Sequence, residues 1–214
     1  MRLICVGGAW SASGKTSVVE LLLRAFPGWA AIKVTPSRPE EVCPLGTCCG
    51  ACQAPEGPYE VITEPAILAE TGKDTARFQA AGASEVAWIR ALPEALPTAL
   101  EVALAGWVDP PGVIVESTTL LPAVSGLRLV VAPAHMPRAK ESTGRCAGHV
   151  DLLALNRFGA EEAPVAHPLK ARLRAPVALA LRADGAVEDP VNAPFIAYCR
   201  EQVALMRPEG GPFR

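Results

Sequence analysis

Hydrophobic positions along the chain fall into short continuous runs, separated by stretches of helical periodicity and by glycine–proline punctuation. Residues 2–7, Arg-Leu-Ile-Cys-Val-Gly, form an apolar run ending in glycine, which predicts a buried strand. After a loop containing glycine and serine, Thr16 to Phe26 places Val18, Val19, Leu21, Leu22, Leu23 and Phe26 on a broad helical face, and Pro27-Gly28 stops it. Trp29 to Val34 predicts a second strand and Tyr59 to Thr63 a short third. Residues 64–81 read as one or two short helices ending at Gly82, and Ser84 to Leu92 as another strand. Pro93 to Gly106 predicts a helix with Leu96, Leu100, Val102 and Leu104 turned inward. The runs at 112–116, 127–132 and 150–156 are almost wholly apolar, as strands covered on both faces must be.

Strands alternating with helices imply a three-layer α/β fold, a mostly parallel sheet with helices on both faces. At the end of the chain, Val177 to Arg182 and Ala186-Val187 flank Ala183-Asp184-Gly185, which predicts a hairpin. Asn192 then starts a last helix, with Pro194 in its first turn and Phe195, Ile196, Cys199 and Val203 apolar. The expected organisation is a single domain over 1–214. It carries an irregular insertion at 36–58 and a C-terminal hairpin plus helix at 176–206.

Composition narrows the class. The chain has 214 residues, half of them hydrophobic, and a formal net charge of −2. It can bury a full core without staples, and its composition argues against disorder. Near-neutral charge and only 5 % aromatic residues argue against a general nucleic-acid binder. No apolar run is long enough for a membrane helix, and the opening residues are apolar too briefly for a signal peptide, so the expected location is cytoplasmic.

The strongest chemical signal follows the first strand. Ala9-Trp10-Ser11-Ala12-Ser13-Gly14-Lys15-Thr16 matches the phosphate-binding loop, with Ala9 where the pattern opens on glycine. Small residues at Ser11, Ala12 and Ser13 let the backbone curl so that successive N–H groups face an anion. Lys15 supplies a point charge to the outer phosphates, and Thr16 opens the helix with its hydroxyl on Mg2+. Strand–loop–helix is the context this loop requires. A P-loop NTPase binding GTP or ATP through residues 11–17, Ser17 included, is the reading that follows. Glu116, closing the strand Gly112-Val113-Ile114-Val115, is the candidate carboxylate for the metal's water shell and for orienting an attacking water. Asp74 and Glu64 are weaker candidates. Asn156, at the end of the 150–156 run, stands either against the nucleotide base or as a turn former.

The seven cysteines are unevenly placed. Cys43, Cys48, Cys49 and Cys52 share the insertion, and Cys49-x2-Cys52 lets two sulfurs reach one metal. Zinc, an iron–sulfur cluster, a redox pair and no role at all remain open. The histidines, His135, His149 and His167, match no ligand pair.

In order, these pieces resemble the MobB-type molybdopterin-guanine dinucleotide biosynthesis proteins, which are P-loop accessory factors. The resemblance rests on Ser13-Gly14-Lys15-Thr16, Ala31-Ile32-Lys33, the stretch from Gly72-Lys73-Asp74-Thr75 to Ala81-Gly82-Ala83, Val113-Ile114-Val115-Glu116 and Asp151 to Asn156. It spans about residues 1–156; the cysteine-rich insertion and the tail lie outside it. It implies nucleotide and Mg2+ at Lys15 and Thr16, Asp74 and Glu116 lining the site, and a homodimer. The role it implies is an accessory one in maturing a molybdenum or other metal cofactor for a client enzyme. Other readings are a zinc or iron–sulfur carrier with a structural P-loop, and a small-molecule kinase.

Overall fold

The computed structural model describes residues 1–37, 55–158, 167–207 and 211–213. Eight strands form one sheet: β1 (Leu3–Gly8), β2 (Ala30–Pro36), β3 (Tyr59–Ile62), β4 (Val86–Ala91), β5 (Val113–Glu116), β6 (Leu127–Pro133), β7 (Leu152–Asn156) and β8 (Val177–Leu181). Their order is β3-β4-β2-β5-β1-β6-β7-β8, and every neighbouring pair is parallel except β3 with β4.

The continuous apolar runs have a direct cause. Side chains alternate across a strand, and here both faces are covered. In β1, Ile4 and Val6 enter one core while Leu3 and Cys5 enter the other. The first core packs α1 (Lys15–Ala25), α2 (Pro65–Leu68), α3 (Asp74–Ala80) and α7 (Ala193–Leu205) on the sheet through Leu22, Leu68, Phe78 and Phe195. The second packs α4 (Leu96–Ala105) and α6 (Pro168–Leu173) through Leu100 and Leu169. A four-residue helix, α5 (Glu141–Gly144), follows β6.

Two expectations need correction. The helix beginning near Pro93 is a 3-10 turn, Pro93–Ala95, followed by α4 with Pro97 in its first turn. Leu96, Ala99, Leu100 and Ala103 face the core, whereas Val102 is exposed and Leu104 only half-buried. Val102 lies two residues from Leu100, more than half a turn around the helix, so one narrow face cannot hold both. The predicted C-terminal hairpin is absent. β8 is a parallel edge strand on β7, and no strand returns after the Asp-Gly turn. Buried Asn192 takes up the backbone groups a returning strand would need. Its Oδ1 accepts from Arg182 N at 2.7 Å, and its Nδ2 donates to Arg182 O and Ala186 O at 3.1 and 2.7 Å.

The parallel order β2-β5-β1-β6 brings four C-terminal strand ends side by side. The chain leaves β1 for β2 on one flank and later crosses from β5 to β6 on the other. Open α/β sheets place ligands in the crevice outside such a reversal.

Candidate functional site

The loop after β1 is fastened at several points. Ala9 N donates to Val131 O at 2.8 Å, Lys140 N donates to Ala9 O at 2.9 Å, Gly8 N donates to Thr118 Oγ1 at 3.0 Å, and Thr143 Oγ1 donates to Gly8 O at 2.7 Å. The backbone is left-handed not at Ala9 but at Ala12 (φ 56°) and Gly14 (φ 91°), so alanine is accommodated where the phosphate-loop pattern opens on glycine. Gly14 is required twice over: by its φ, and because a Cβ there would collide with Asn156 Nδ2. Lys15 arches back over the loop, where a Cβ on Gly8 would come within 2.6 Å of its Cδ. Helix α1 starts at Lys15 with no side-chain cap and no acidic residue in its first turn. Its free N–H groups and the positive end of its dipole therefore face the loop.

Four side chains meet beside this helix end. Lys33 and Glu116 are register partners on β2 and β5, which no spacing in the sequence reveals. Lys33 Nζ lies 2.8 Å from Glu116 Oε1 and 2.6 Å from Asp74 Oδ2, at the start of α3. Thr16 Oγ1 donates to Glu116 Oε2 at 3.1 Å. The Glu116 side chain is 1 % exposed, so its charge is almost fully withdrawn from water and depends on these partners. Burial alone would lower the Lys33 pKa, but Glu116 and Asp74 outweigh it and the value is raised. For Asp74, burial pulls upward, yet Lys33 and hydrogen bonds from Lys33 and Thr16 win, and its carboxyl is held below the usual range. Lys15 moves the other way: burial lowers it, with Glu116 opposing and Lys33 and Lys140 adding repulsion.

Beyond Lys15 opens a cavity of about 330 Å3, with Lys15, Lys33, Glu116, Thr118, Lys140 and Ser142 in its wall. A smaller one of about 90 Å3 lies on the other side of Lys33, against Asp74 and Trp88, whose Nε1 donates to Thr35 Oγ1 at 3.0 Å.

The remaining candidate residues are scattered in their roles. Ser11 and Ala12 are exposed on the loop, and Ser13 is buried with its hydroxyl unpartnered among the described residues. Ser17 Oγ accepts from Arg77 Nη2 at 2.9 Å, and Arg77 also grips Glu20, tying α3 to α1. Asn156 is 2 % exposed; its Nδ2 donates to Ser13 O at 3.3 Å and its Oδ1 accepts from Ala183 N at 3.1 Å, so its amide braces the loop against β7 and the turn after β8. Glu64 is exposed and accepts from Thr63 N, away from the group around Glu116. Cys43, Cys48, Cys49 and Cys52 lie outside the described residues. Among the described residues no three His, Cys, Asp or Glu side chains are grouped to hold a metal, and no helix is long and apolar enough to cross a membrane.

From the sequence, no site role falls to Lys33, Arg77, Thr118, Lys140 or Thr143. Lys33 did carry a signal, as a lone charge inside an apolar strand. The other four carry none without the topology. Set against protein-family models, curated proteins and solved structures, the chain matches none.

Proposed function

We propose that this chain binds a nucleoside triphosphate, GTP or ATP, with Mg2+ and hydrolyses it slowly. The observation that carries the reading is the convergence of a curled loop, an uncapped helix end and Lys15 with Thr16, Asp74 and Glu116 at one edge of a parallel sheet. Backbone N–H groups from the loop and the start of α1 would hold the phosphates. Lys15 is suited to them because its ammonium, lowered by burial and by neighbouring lysines, regains favourable interaction when an anion arrives. Thr16, Asp74 and Glu116 offer hard oxygen donors of the kind Mg2+ takes, and the ion bound there would neutralise charge on the outer phosphates. Lys33 bridges the two carboxylates beside Thr16 and holds the Asp74 carboxyl below its usual range.

The accessory role in molybdenum-cofactor or other metal-cofactor maturation is proposed on the resemblance, together with the thiols of Cys43, Cys48, Cys49 and Cys52. One placement supports it. β2 ends at Pro36, which lines the cavity holding Lys15 and Lys33, so the chain enters the cysteine-bearing stretch from the edge of the site.

Calorimetric titration with Mg–ATP and Mg–GTP tests the core of the reading. The natural chain binds one of them saturably and needs Mg2+ for full affinity. Lys15→Ala loses that binding while keeping its fold by circular dichroism. Retained affinity in Lys15→Ala, or no binding by the natural chain, defeats the proposal.

A further inference from the structure

Lys140, like Lys15, has no carboxylate partner among the described residues. Three lysines and one carboxylate line the 330 Å3 cavity: Lys15, Lys33, Lys140 and Glu116. Lys33 already serves Glu116 and Asp74, and the triphosphate reading assigns Lys15 to the phosphates. The adjacent acid, Glu141, is paired with Arg145 at 2.8 Å. Among the described residues no carboxylate pairs with the Lys140 ammonium.

The position is fixed rather than incidental. Lys140 N donates to Ala9 O, and Lys140 O accepts from Thr143 N and Gly144 N, both at 3.1 Å. Thr143 Oγ1 in turn donates to Gly8 O. The residue is thus bolted to the phosphate loop on two sides, and its side chain projects into a space shared with Lys15. Burial lowers its pKa, and Lys33 adds repulsion. An anion seated beside it would offset both effects.

The rest of the wall is matched to an acceptor. Thr118 Oγ1 receives Gly8 N, which leaves its own hydrogen to donate. Ser142 and Thr119 add hydroxyls. An ammonium and three hydroxyls around a volume at the lower end of the roughly 300–1,000 Å3 typical of small-molecule sites is a polar, donor-rich pocket. A single terminal phosphoryl group leaves much of it unfilled.

We infer that this cavity binds a second small ligand through an oxyanion, a carboxylate or a phosphate, seated on Lys140, Thr118 and Ser142 next to the outer phosphate of the nucleotide. The inference rests on the triphosphate reading for that neighbour. It narrows the chain's activity toward a reaction or a response with two anionic ligands, in place of hydrolysis alone.

The test loads the protein with Mg2+ and a β,γ-imido analogue of ATP or GTP. Inorganic phosphate and succinate are then titrated separately by calorimetry at constant ionic strength. At least one anion binds saturably to the loaded protein. Phosphate alone points to a phosphoryl ligand, succinate alone to a carboxylate. Lys140→Ala weakens that binding by about tenfold or more, as loss of a charge-assisted contact predicts. The same variant changes analogue affinity by less than about threefold. Ser142→Ala, with the charge intact, gives a smaller loss and guards against misfolding of the first variant. The inference is overturned if neither anion binds the loaded protein, if they bind only when a diphosphate replaces the analogue, or if Lys140→Ala weakens the analogue as much as the anions. Should the analogue itself not bind, the triphosphate reading fails. The titrations repeated without nucleotide then still decide the anion site: binding abolished by Lys140→Ala keeps it, and no binding or an unchanged variant removes it.

Discussion

At the scale of single residues, the site turns on Lys33. It holds two carboxylates, one almost wholly buried, so its loss leaves Glu116 with Thr16 alone. Lys33→Met should destabilise the fold by about 3 kcal/mol, the usual penalty for stranding one member of a buried pair. Adding Glu116→Gln should recover much of this, because a neutral amide no longer needs the ammonium. Urea unfolding of the two variants and the double variant measures the coupling; additive losses would mean that the pair is not a unit. The Lys33–Asp74 pair sets a pH dependence. The depressed Asp74 carboxyl contributes stability that is complete above the ordinary carboxylate range and is lost as pH falls through its folded value. The raised Lys33 contributes stability that is complete below the ordinary lysine range and is lost as pH climbs through its folded value. The stability gap between the natural chain and Asp74→Asn should therefore be flat from about pH 5 to 9 and close below about pH 4. A gap that persists in acid would assign Asp74 a role other than this ion pair. The sequence offered Lys15 and Thr16 from the loop motif, Glu116 from a strand end and Asp74 as a weaker candidate, and the structure brings Thr16, Asp74 and Glu116 together beside Lys33. Lys33's partnership was not, since it depends on β2 lying beside β5, and register across a sheet leaves no trace in local spacing.

At the scale of elements, the correction in α4 gives a clean comparison. Leu100 is fully buried and Val102 is 45 % exposed on the same helix. Leu100→Ala should cost about 2–5 kcal/mol, and Val102→Ala should stay within about 0.5 kcal/mol. Equal losses in thermal unfolding would put the helix face elsewhere. The junction of loop and sheet makes a second case. Gly14 combines a left-handed φ with close approach to Asn156, so Gly14→Ala strains the backbone and displaces the brace. Asn156→Ala added to it should relieve the clash but not the φ, and recover only part of the lost stability. Full recovery would mean that backbone strain at Gly14 is negligible. Helices and strands themselves were readable from the pattern, since both faces of the sheet are covered and the strand runs are continuously apolar. The failed hairpin shows the limit. An Asp-Gly turn between apolar residues favours a return strand locally, but Asn192 consumes the backbone groups such a strand would use.

At the scale of the whole molecule, the sheet order explains why distant segments share one site. β1, β2, β5 and β6 end together, so residues from the loop after β1, from β2, from β5 and from the turn after β6 surround one space, with the start of α3 joined to it through Lys33. The alternating pattern was enough to foresee parallel α/β layers. It could not foresee Lys140, which reaches the cavity only because the turn after β6 folds back to Ala9. In the proposed function this shared edge holds the phosphates of a nucleotide. Thermal unfolding with and without Mg–ATP or Mg–GTP, on the natural chain and on Lys15→Ala, tests it most directly. At a hundredfold excess over Kd one nucleotide should stabilise the natural chain by about 2.7 kcal/mol, or about 5–10 °C in Tm for a chain of this size. Lys15→Ala should show no shift. A natural chain whose Tm moves with neither nucleotide, or a variant that shifts equally, would contradict the account.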